Sequence, residues 1–291
     1  MANVIVVMVT YGDRLKILKK SVPNILNFDI SKLLIFENDI SNNSKEFLST
    51  LCDKRIIRIQ SKINIGSSGG FHDALEYILN NLEYDFVWLL DDDNFPIKNC
   101  LNELLNNANK DNTALVSNRI DRNDVKPNSV SNNNFIGINI FKNKSKNNEI
   151  ICAPYGGLFI PKKILQKINL PIKKLFVYGD DHVFTYRIYN KGFKFKKISK
   201  AIIRDMGDSH NKNSNIFRYF QSEFPSNLLY FQIRNHTFLS KIQKTSLFMF
   251  CINMLIFLII IIKKTFESRF VNFSRWMIIL KGINHGLKLK I

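Results

Sequence analysis

An apolar run that stops at three consecutive carboxylates constrains the fold of this chain more than any other feature. A buried strand is predicted over Phe86–Leu90, because five apolar or aromatic residues follow one another there, and it ends at Asp91, Asp92 and Asp93. Open α/β sheets bind ligands at the carboxyl ends of their strands. Adjacent carboxylates repel one another unless a cation lies among them, and hard oxygen ligands suit Mg²⁺ or Mn²⁺ carrying a diphosphate.

The same cluster has a plainer interpretation, which is a solvated acidic turn that caps the following helix. Because alternate residues of an extended segment point the same way, Asp91 and Asp93 are expected to share one task while Asp92 faces elsewhere.

Composition limits the classes of protein to which the chain can belong. Its 291 residues, 45% of them hydrophobic, suffice for one large α/β domain with an appendage. The net charge of +18 calls for an anionic partner, which is nucleic acid, a membrane surface or a phosphorylated substrate. Four scattered cysteines without metal-ligand spacing, and no segment resembling a signal peptide, predict a reduced, cytosolic protein.

Strand and helix patterns alternate along the first 120 residues, which predicts a mostly parallel sheet flanked by helices. The predicted strands are Val4–Thr10, Lys32–Phe36, Arg55–Ile59, Phe86–Leu90 and Thr113–Ser117, with helices after Leu15, from Ala74 to Leu82 and around Leu101–Ala108. A polar surface loop is predicted over 121–134, followed by strands over 135–141 and 150–153.

Polar residues follow the predicted strands. Thr10, Tyr11 and Arg14 lie at a strand-to-helix junction that favours an anion, although Arg14 is equally well explained as a solvated helix residue. Glu37 ends the second strand, where an acid can accept from ribose hydroxyls or a base N–H. The glycine-rich turn that starts at Gly66 allows close backbone approach to a ligand, and taken alone it is weak evidence.

A second carboxylate centre, Asp180–Asp181, opens a helix that ends at Gly192. Acids at a helix N-terminus are common caps. Two in succession permit one to cap while the other, in a cleft beside a like charge, acts as a general base.

These motifs taken in order resemble the family 2 inverting glycosyltransferases of the GT-A fold, and most of all the bacterial galactofuranosyl- and rhamnosyltransferases. The resemblance covers roughly residues 3–235. It is carried by Val9-Thr10-Tyr11, Glu37-Asn38, Asn64 to Phe71, Trp88 with Asp91–Asp93, Tyr155 to Ile160, and Tyr178 to Arg187. Glu37 departs from the family, in which Asp is more frequent, and no motif fixes the position of the later His.

The resemblance implies roles for individual residues. Asp181 is the base that takes the proton of the acceptor hydroxyl, and Asp180 orients the substrate. Asp93 and Asp91, with His210, hold Mn²⁺ or Mg²⁺ on the diphosphate. The remaining donor-site residues are Thr10, Tyr11, Arg14, Glu37, Asn64, Gly66, Asp92, Gly156 and Gly157. Most lone histidines are not ligands, and Gly156–Gly157 is equally well explained as a plain β-turn.

The C-terminal part has a different character, and the chain is predicted to divide into a nucleotide-sugar-binding and catalytic domain, 1–215, and a basic helical region, 216–291. Residues 246–262 carry no charge, and the length of this segment is at the lower limit for a membrane span. From residue 209 onward twelve Lys/Arg oppose two Glu, a net charge of +10. A single crossing would carry basic residues to the far side, so monotopic or re-entrant attachment to an anionic cytoplasmic leaflet is predicted. A buried helix or an oligomer interface is the alternative.

The sequence thus predicts a metal-dependent inverting glycosyltransferase that moves galactofuranose or rhamnose from a UDP- or dTDP-sugar to a hydroxyl of a surface glycan or lipid-linked acceptor. A sugar nucleotidyltransferase also needs clustered Asp and a metal, but the Gly-rich Lys/Arg phosphate grip expected near its first strand is missing from the sequence. A basic nucleic-acid-binding protein would concentrate its charge beside aromatics on a folded face, and here the excess surrounds an apolar stretch.

Overall fold

The computed structural model describes residues 2–108, 112–120, 149–206, 224–244, 246–267 and 273–290. Its strands are β1 (Val4–Gly12), β2 (Lys32–Ile40), β3 (Ile56–Ser61), β4 (Phe86–Asp91), β5 (Asn94–Pro96), β6 (Thr113–Ile120), β7 (Leu158–Pro161) and β8 (Lys194–Asp205). The helices are α1 (Leu15–Leu26), α2 (Asn42–Ser49), α3 (Gly66–Asn81), α4 (Cys100–Asn107), α5 (Lys162–Leu165), α6 (Asp180–Asn190), α7 (Ser226–Gln243), α8 (Leu247–Glu267) and α9 (Phe273–Lys288).

The strands form one sheet in the order β3-β2-β1-β4-β7-β6-β8-β5. The pairings β2–β3, β1–β2, β1–β4 and β6–β8 are parallel, whereas β7 runs antiparallel to both of its neighbours and β5 antiparallel to β8. The mostly parallel α/β sheet expected from the sequence is therefore present, with β7 as an antiparallel insertion in its middle.

Helices cover both faces of the sheet, so β1 is buried from Val4 to Met8 and alternates there between two cores. Ile5 and Val7 point to the core formed with α3, α5 and α6, and Val6 and Met8 point to the core formed with α1, α2 and α4. This explains the unbroken apolar runs of β1 and β4, whose carboxyl ends lie side by side with Val9 opposite Asp91.

Several predicted boundaries are wrong. The second strand does not stop before Glu37, because Glu37 and Asn38 continue to pair with β1 and β3. The third flanking helix begins at Gly66 instead of Ala74. The glycine-rich segment is the first turn of this helix, and its glycines allow close packing, because a Cβ on Gly70 would lie only 2.7 Å from the Val9 side chain. Around 150–153 only a single bridge residue forms, and the strand follows at Leu158.

The C-terminal helices form an apolar cluster of their own. Ile233 and Leu229 of α7 pack with Phe257 of α8 and Ile279 of α9. No helix within the described ranges has the length and apolar character needed to cross a membrane. The predicted loop over 121–134 and strand over 135–141 lie outside the described residues, and the division of the chain at residue 215 stays a prediction.

Candidate active site

The three carboxylates lie where β4 ends beside β1, and each has a different environment. Asp92 is the most buried, with a side chain 4% exposed; it accepts hydrogen bonds from Thr10 Oγ1 at 2.7 Å and Arg14 Nε at 3.2 Å. Asp93 lies 3.7 Å from Arg14 Nη2 and is 17% exposed. Asp91 is the most open, at 39%. The expectation that Asp92 faces a different way from its neighbours holds only in part, because Arg14 contacts both Asp92 and Asp93.

A second arginine, Arg119 at the end of β6, reaches the cluster from the opposite side. Its Nη2 donates to Asp205 Oδ2 at 2.6 Å and its Nη1 lies 3.9 Å from Asp91 Oδ2. Asp205 ends β8 and is held beside the cluster by sheet pairing, because it lies opposite Asn94 and Met206 N–H donates to the Asp93 carbonyl at 2.9 Å. The edge therefore carries four carboxylates and two guanidinium groups.

Burial and crowding raise the pKa values of Asp91, Asp92 and Asp93. Burial, followed by repulsion from Asp91 and Asp205, raises the pKa of Asp93 to about 7. Burial likewise raises the pKa of Asp91 to about 6, against the attraction of Arg119, and that of Asp92 to about 6, against the attraction of Arg14. When they are ionised, the four carboxylates of this edge carry more charge than two guanidinium groups can offset, which leaves an excess of negative charge.

The residues present fit a divalent metal. Asp91 and Asp93 offer hard carboxylate oxygens, and their raised pKa values mean that both hold a proton, and so a positive charge, more readily than ordinary acids do. Asp91 is also open to the cleft. Gly156 leaves the approach free, since a Cβ there would overlap Asn94 Oδ1 and lie 2.6 Å from Asp91 Oδ2. The predicted ligand His210 lies outside the described residues.

Within the described residues, the group that brings three potential ligand atoms within 4.8 Å of one another lies elsewhere, at His72, Asp73 and Glu76 of α3. Lys173 Nζ already lies 2.5 Å from Asp73 Oδ1, so an ammonium group pairs with one of the two acids of this set. Metal binding by Asp91, Asp93 and His210 stays a prediction.

The second carboxylate centre opens α6, as the sequence predicts. Asp180 is 3% exposed and accepts a hydrogen bond from Ser67 Oγ at 2.8 Å; burial, then repulsion from Asp181, raises its pKa well above the usual range. Asp181 is half-buried, and its Oδ1 accepts from the backbone N–H of His182 at 2.7 Å. Asp181 is the more exposed of the two, so an acceptor hydroxyl can reach its carboxylate more easily, and Asp181 is the better placed to act as a base.

The two centres belong to one cleft. Burial is the main cause of the raised pKa of Asp91 and of Asp180, and smaller contributions come from the charge of Asp181 on Asp91 and from the charge of Asp91 on Asp180. Two acids about 90 positions apart in the sequence therefore lie near each other in the fold, as a metal site and a base that act on one substrate must.

The other predicted donor-site residues line the same edge. Tyr11 is 53% exposed, with the Arg14 guanidinium 5.3 Å from its ring centroid. Glu37 is 1% exposed and pairs with Arg58 through Oε1, while its Oε2 has no hydrogen-bond partner among the described residues.

Several predicted ligand contacts are occupied by the protein itself. Asn64 Oδ1 accepts from Asn38 Nδ2 at 3.1 Å and from Gly66 N–H at 2.8 Å. A Cβ on Gly66, whose φ is +75°, would overlap the Phe176 carbonyl oxygen, so its close approach is to backbone. Gly157, with φ +91°, turns the chain into β7, and its N–H donates to the Leu89 carbonyl at 2.8 Å.

Sequence reasoning missed Arg119, Asp205, Ser67 and Arg58. Asp205 lies at a strand end, so the rule that polar residues there meet at one sheet edge could have found it. Arg119 is also near the end of its strand, but its partners depend on β6 lying two strands from β4. Arg58 lies within β3, and the contact of Ser67 depends on the distance between α3 and α6.

Comparison with known proteins agrees with this geometry. A family model described as glycosyl transferase family 2 matches residues 5–169. No curated protein sequence matches the chain. Among solved structures, the chain is similar to the mannosyltransferase PcManGT from Pyrobaculum calidifontis in complex with GDP-Man and Mn²⁺, with a TM-score of 0.55 and 9% identity over 84% of this chain and 65% of that one.

Two further solved structures share the fold. S. aureus TarS 1–349 has a TM-score of 0.52 and 14% identity over 84% of this chain and 76% of that one. GalNAc-T7 with UDP, GalNAc and Mn²⁺ has a TM-score of 0.56 and 9% identity, and the chain covers 51% of its length. At these identities the likeness shows the fold alone, and it confirms the Rossmann-like α/β sheet with flanking helices.

Proposed function

We propose, since the chain belongs to glycosyl transferase family 2, that it is a metal-dependent glycosyltransferase that moves a sugar from a nucleotide-sugar donor to an acceptor hydroxyl. The observation that carries the proposal is that both carboxylate centres lie at the carboxyl edge of the sheet: Asp91–Asp93 lie at the end of β4 beside β1, and Asp180 accepts a hydrogen bond from Ser67 at the start of α3, where the Gly66 carbonyl accepts from Asn38 of β2. One centre has the excess negative charge that a cation neutralises, and the other has a half-buried carboxylate free of guanidinium partners among its described contacts.

Asp91 and Asp93 would hold Mn²⁺ or Mg²⁺ against the donor diphosphate, and His210 is proposed as the third ligand. The metal, when bound, stabilises the negative charge that develops on the leaving nucleoside diphosphate. Two solved proteins with this fold are named as complexes with Mn²⁺ and a nucleotide or nucleotide sugar, which supports the same cofactor here.

Asp181 would take the proton of the acceptor hydroxyl. As the proton leaves, the acceptor oxygen bonds to the anomeric carbon and the nucleoside diphosphate departs from the opposite face; this single displacement inverts the anomeric centre, so inversion is part of the proposal. Galactofuranose or rhamnose from a UDP- or dTDP-sugar stays the proposed donor class, on the strength of the sequence motifs. The acceptor is proposed to be a surface glycan or a lipid-linked glycan.

A panel of nucleotide sugars tests this function. The purified protein is offered each donor with Mn²⁺, with Mg²⁺ or with EDTA, and release of nucleoside diphosphate is measured. Consumption of one donor that stops in EDTA supports the proposal; release of pyrophosphate instead would indicate a nucleotidyltransferase. Anomeric configuration of the product, read by NMR, decides between inversion and retention.

The C-terminal helices support a membrane location. Phe248, Leu255 and Ile259 of α8 are 70%, 58% and 54% exposed, and Met277 and Leu280 of α9 are 54% and 48% exposed. This apolar surface lies in the part of the chain that carries the net charge of +10. We therefore place the enzyme on the cytoplasmic face of an anionic membrane, with this surface in the interface.

Removing α8 and α9 is a poor test, because Ile233 of α7 packs against both and would become exposed. The sharper variant replaces Phe248, Leu255 and Ile259 by Ser, leaving the buried side of α8 intact. It should lose sedimentation with anionic vesicles, whereas Ile63→Ser, equally exposed at 67% but on the sheet domain, should not. Equal vesicle binding by wild type and the triple variant would remove the proposed attachment surface.

A further inference from the structure

The backbone that leads into Asp180 and Asp181 has an unusual conformation. In the segment 175–179, hereafter the approach loop, φ is +66° at Phe176, +62° at Tyr178 and +77° at Gly179. Val177 N–H donates to the Leu175 carbonyl at 2.8 Å across Phe176, which makes a γ-turn of the rare kind with positive φ at its centre. Residues with side chains seldom adopt positive φ, and two aromatic residues here do so.

Asn235 of α7 holds this loop. The side chain is fully buried, and its Nδ2 donates to the carbonyls of Leu175 at 2.9 Å, Val177 at 2.9 Å and Tyr178 at 2.8 Å. Two N–H groups therefore serve three carbonyls, all in the loop. The peptide group before Phe176 and those on both sides of Tyr178 are thus fixed by one amide.

Neighbouring contacts orient that amide. Arg234 Nε donates to Asn235 Oδ1 at 2.9 Å, and Arg234 Nη2 donates to the Lys174 and Leu175 carbonyls at 2.7 and 2.8 Å. The Phe176 ring stacks on Phe231 of the same helix at 4.7 Å.

On its other side the loop is tied to the carboxylate centre. Ser67 Oγ contacts the Phe176 carbonyl at 3.3 Å and Asp180 Oδ2 at 2.8 Å, and Ser68 N–H donates to the same carbonyl at 3.1 Å. Relaxation of the loop to negative φ would therefore shift the carboxylate centre as well as the loop. A displacement of about 1 Å can lower a rate on the order of 100-fold.

We infer that Asn235 is a positioning residue of the glycosyl-transfer site: it holds the approach loop in the conformation that sets Asp180 and Asp181 against the metal-binding acids. The residue acts through the loop and contacts neither the metal-binding acids nor the donor-site residues. The inference rests on the proposed function where it predicts a change in kcat, and on the contacts above where it predicts a change in deuterium exchange.

Asn235→Ala should lower kcat by roughly 10- to 100-fold while the donor KM changes by less than about twofold. Amides of residues 176–181 should exchange with deuterium about tenfold faster or more, without matching acceleration in the sheet. The matched control is Gln232→Ala, a buried amide of the same helix whose Oε1 has no hydrogen-bond partner among the described residues. It should leave both readouts unchanged.

A second substitution separates positioning from simple packing. Adding Tyr178→Gly to Asn235→Ala makes the same φ accessible without strain, so part of the lost kcat and of the exchange protection should return. If the single variant does not fold, the double variant should. Absence of any recovery, or a loss in Asn235→Ala shared equally by kcat and donor binding, would overturn the inference. Should the wild type transfer no sugar, the proposed function fails and deuterium exchange alone decides the role of Asn235.

Discussion

The two carboxylate centres of the cleft are held by opposite means. At the first, guanidinium groups of Arg14 and Arg119 lie beside acids whose pKa values are nevertheless raised to between about 6 and 7. At the second, Asp180 receives a hydroxyl hydrogen bond, and Asp181 a backbone N–H. The first centre is rigidly cross-linked by charge, while the second depends on the conformation of one backbone loop.

This difference assigns the tasks. A site that gathers four acids around two arginines still attracts a cation, because two guanidinium charges offset only part of the negative charge of four carboxylates. A carboxylate without a cationic partner keeps its capacity to take a proton, provided that the backbone points it correctly. Variants at the two centres should therefore fail in different ways.

The largest effect is expected from Asp181→Asn. The amide keeps the shape of the carboxylate but cannot accept a proton, so transfer should fall by about 10²- to 10⁴-fold. Donor and metal affinities, measured by calorimetry, should barely change because the first centre is untouched. If Asp181→Asn transfers normally and Asp180→Asn is inactive, the two roles are exchanged; if both are active, the base lies elsewhere.

Asp93→Asn should act on the metal instead. Loss of a contact outside the ligand set already lowers metal affinity by about 10- to 100-fold, and loss of a charged ligand should cost at least as much. Mn²⁺-dependent donor binding, followed by titration calorimetry, should disappear. Asp73→Asn, in the ammonium-paired group on α3, is the control and should bind Mn²⁺ and donor as the wild type does.

Gly156→Ala tests how closely the first centre is packed. The new Cβ would overlap Asn94 Oδ1 and crowd Asp91 Oδ2, and such overpacking costs about 1–3 kcal/mol of unfolding free energy. Urea unfolding should show this loss, and Mn²⁺ should recover less stability than in the wild type because Asp91 is displaced. Wild-type stability together with wild-type Mn²⁺ binding would mean that the space beside Asp91 is not part of the site.

Predictability from sequence follows the same division. The first centre was found because a buried strand ending in Asp91–Asp93 and polar residues at other strand ends obey a general rule of α/β sheets. Its arginine on β6 was not, since nothing in the sequence places β6 beyond an antiparallel β7. At the second centre, the acids at the start of α6 can be recognised in the sequence. The hydrogen bonds from Asn235 to the approach loop cannot, because they depend on how α7 packs, and Asn235 lies about 55 residues after these acids.

The same limit explains the glycines. Gly66 and Gly70 were interpreted as a ligand-binding turn, but they allow α3 to pack against Phe176 and Val9. A glycine-rich segment shows in sequence that something approaches closely, and does not show whether the neighbour is a ligand or the protein itself.

The smallest expected effect is a pH dependence of the response to metal, which belongs to the first centre. The pKa of Asp93, about 7, and that of Asp91, about 6, both lie above the ordinary value of 3.8, so between about pH 4 and pH 7 the folded protein binds more protons than the unfolded chain. The metal-free protein should therefore lose stability as pH rises through this window.

Mn²⁺ competes with those protons for the carboxylates. The increase in unfolding temperature that Mn²⁺ causes should therefore be larger at pH 7.5 than at pH 5.5. A difference of about 1 kcal/mol in unfolding free energy corresponds to a few degrees. Thermal unfolding with and without Mn²⁺ at both pH values measures the difference. Asp93→Asn should flatten it, because the group with the highest pKa of the three is gone, and Asp181→Asn should retain it. If Mn²⁺ raises the unfolding temperature of the wild type equally at both pH values, metal binding does not displace protons from Asp91 and Asp93. The first centre would then not be the cation-binding one.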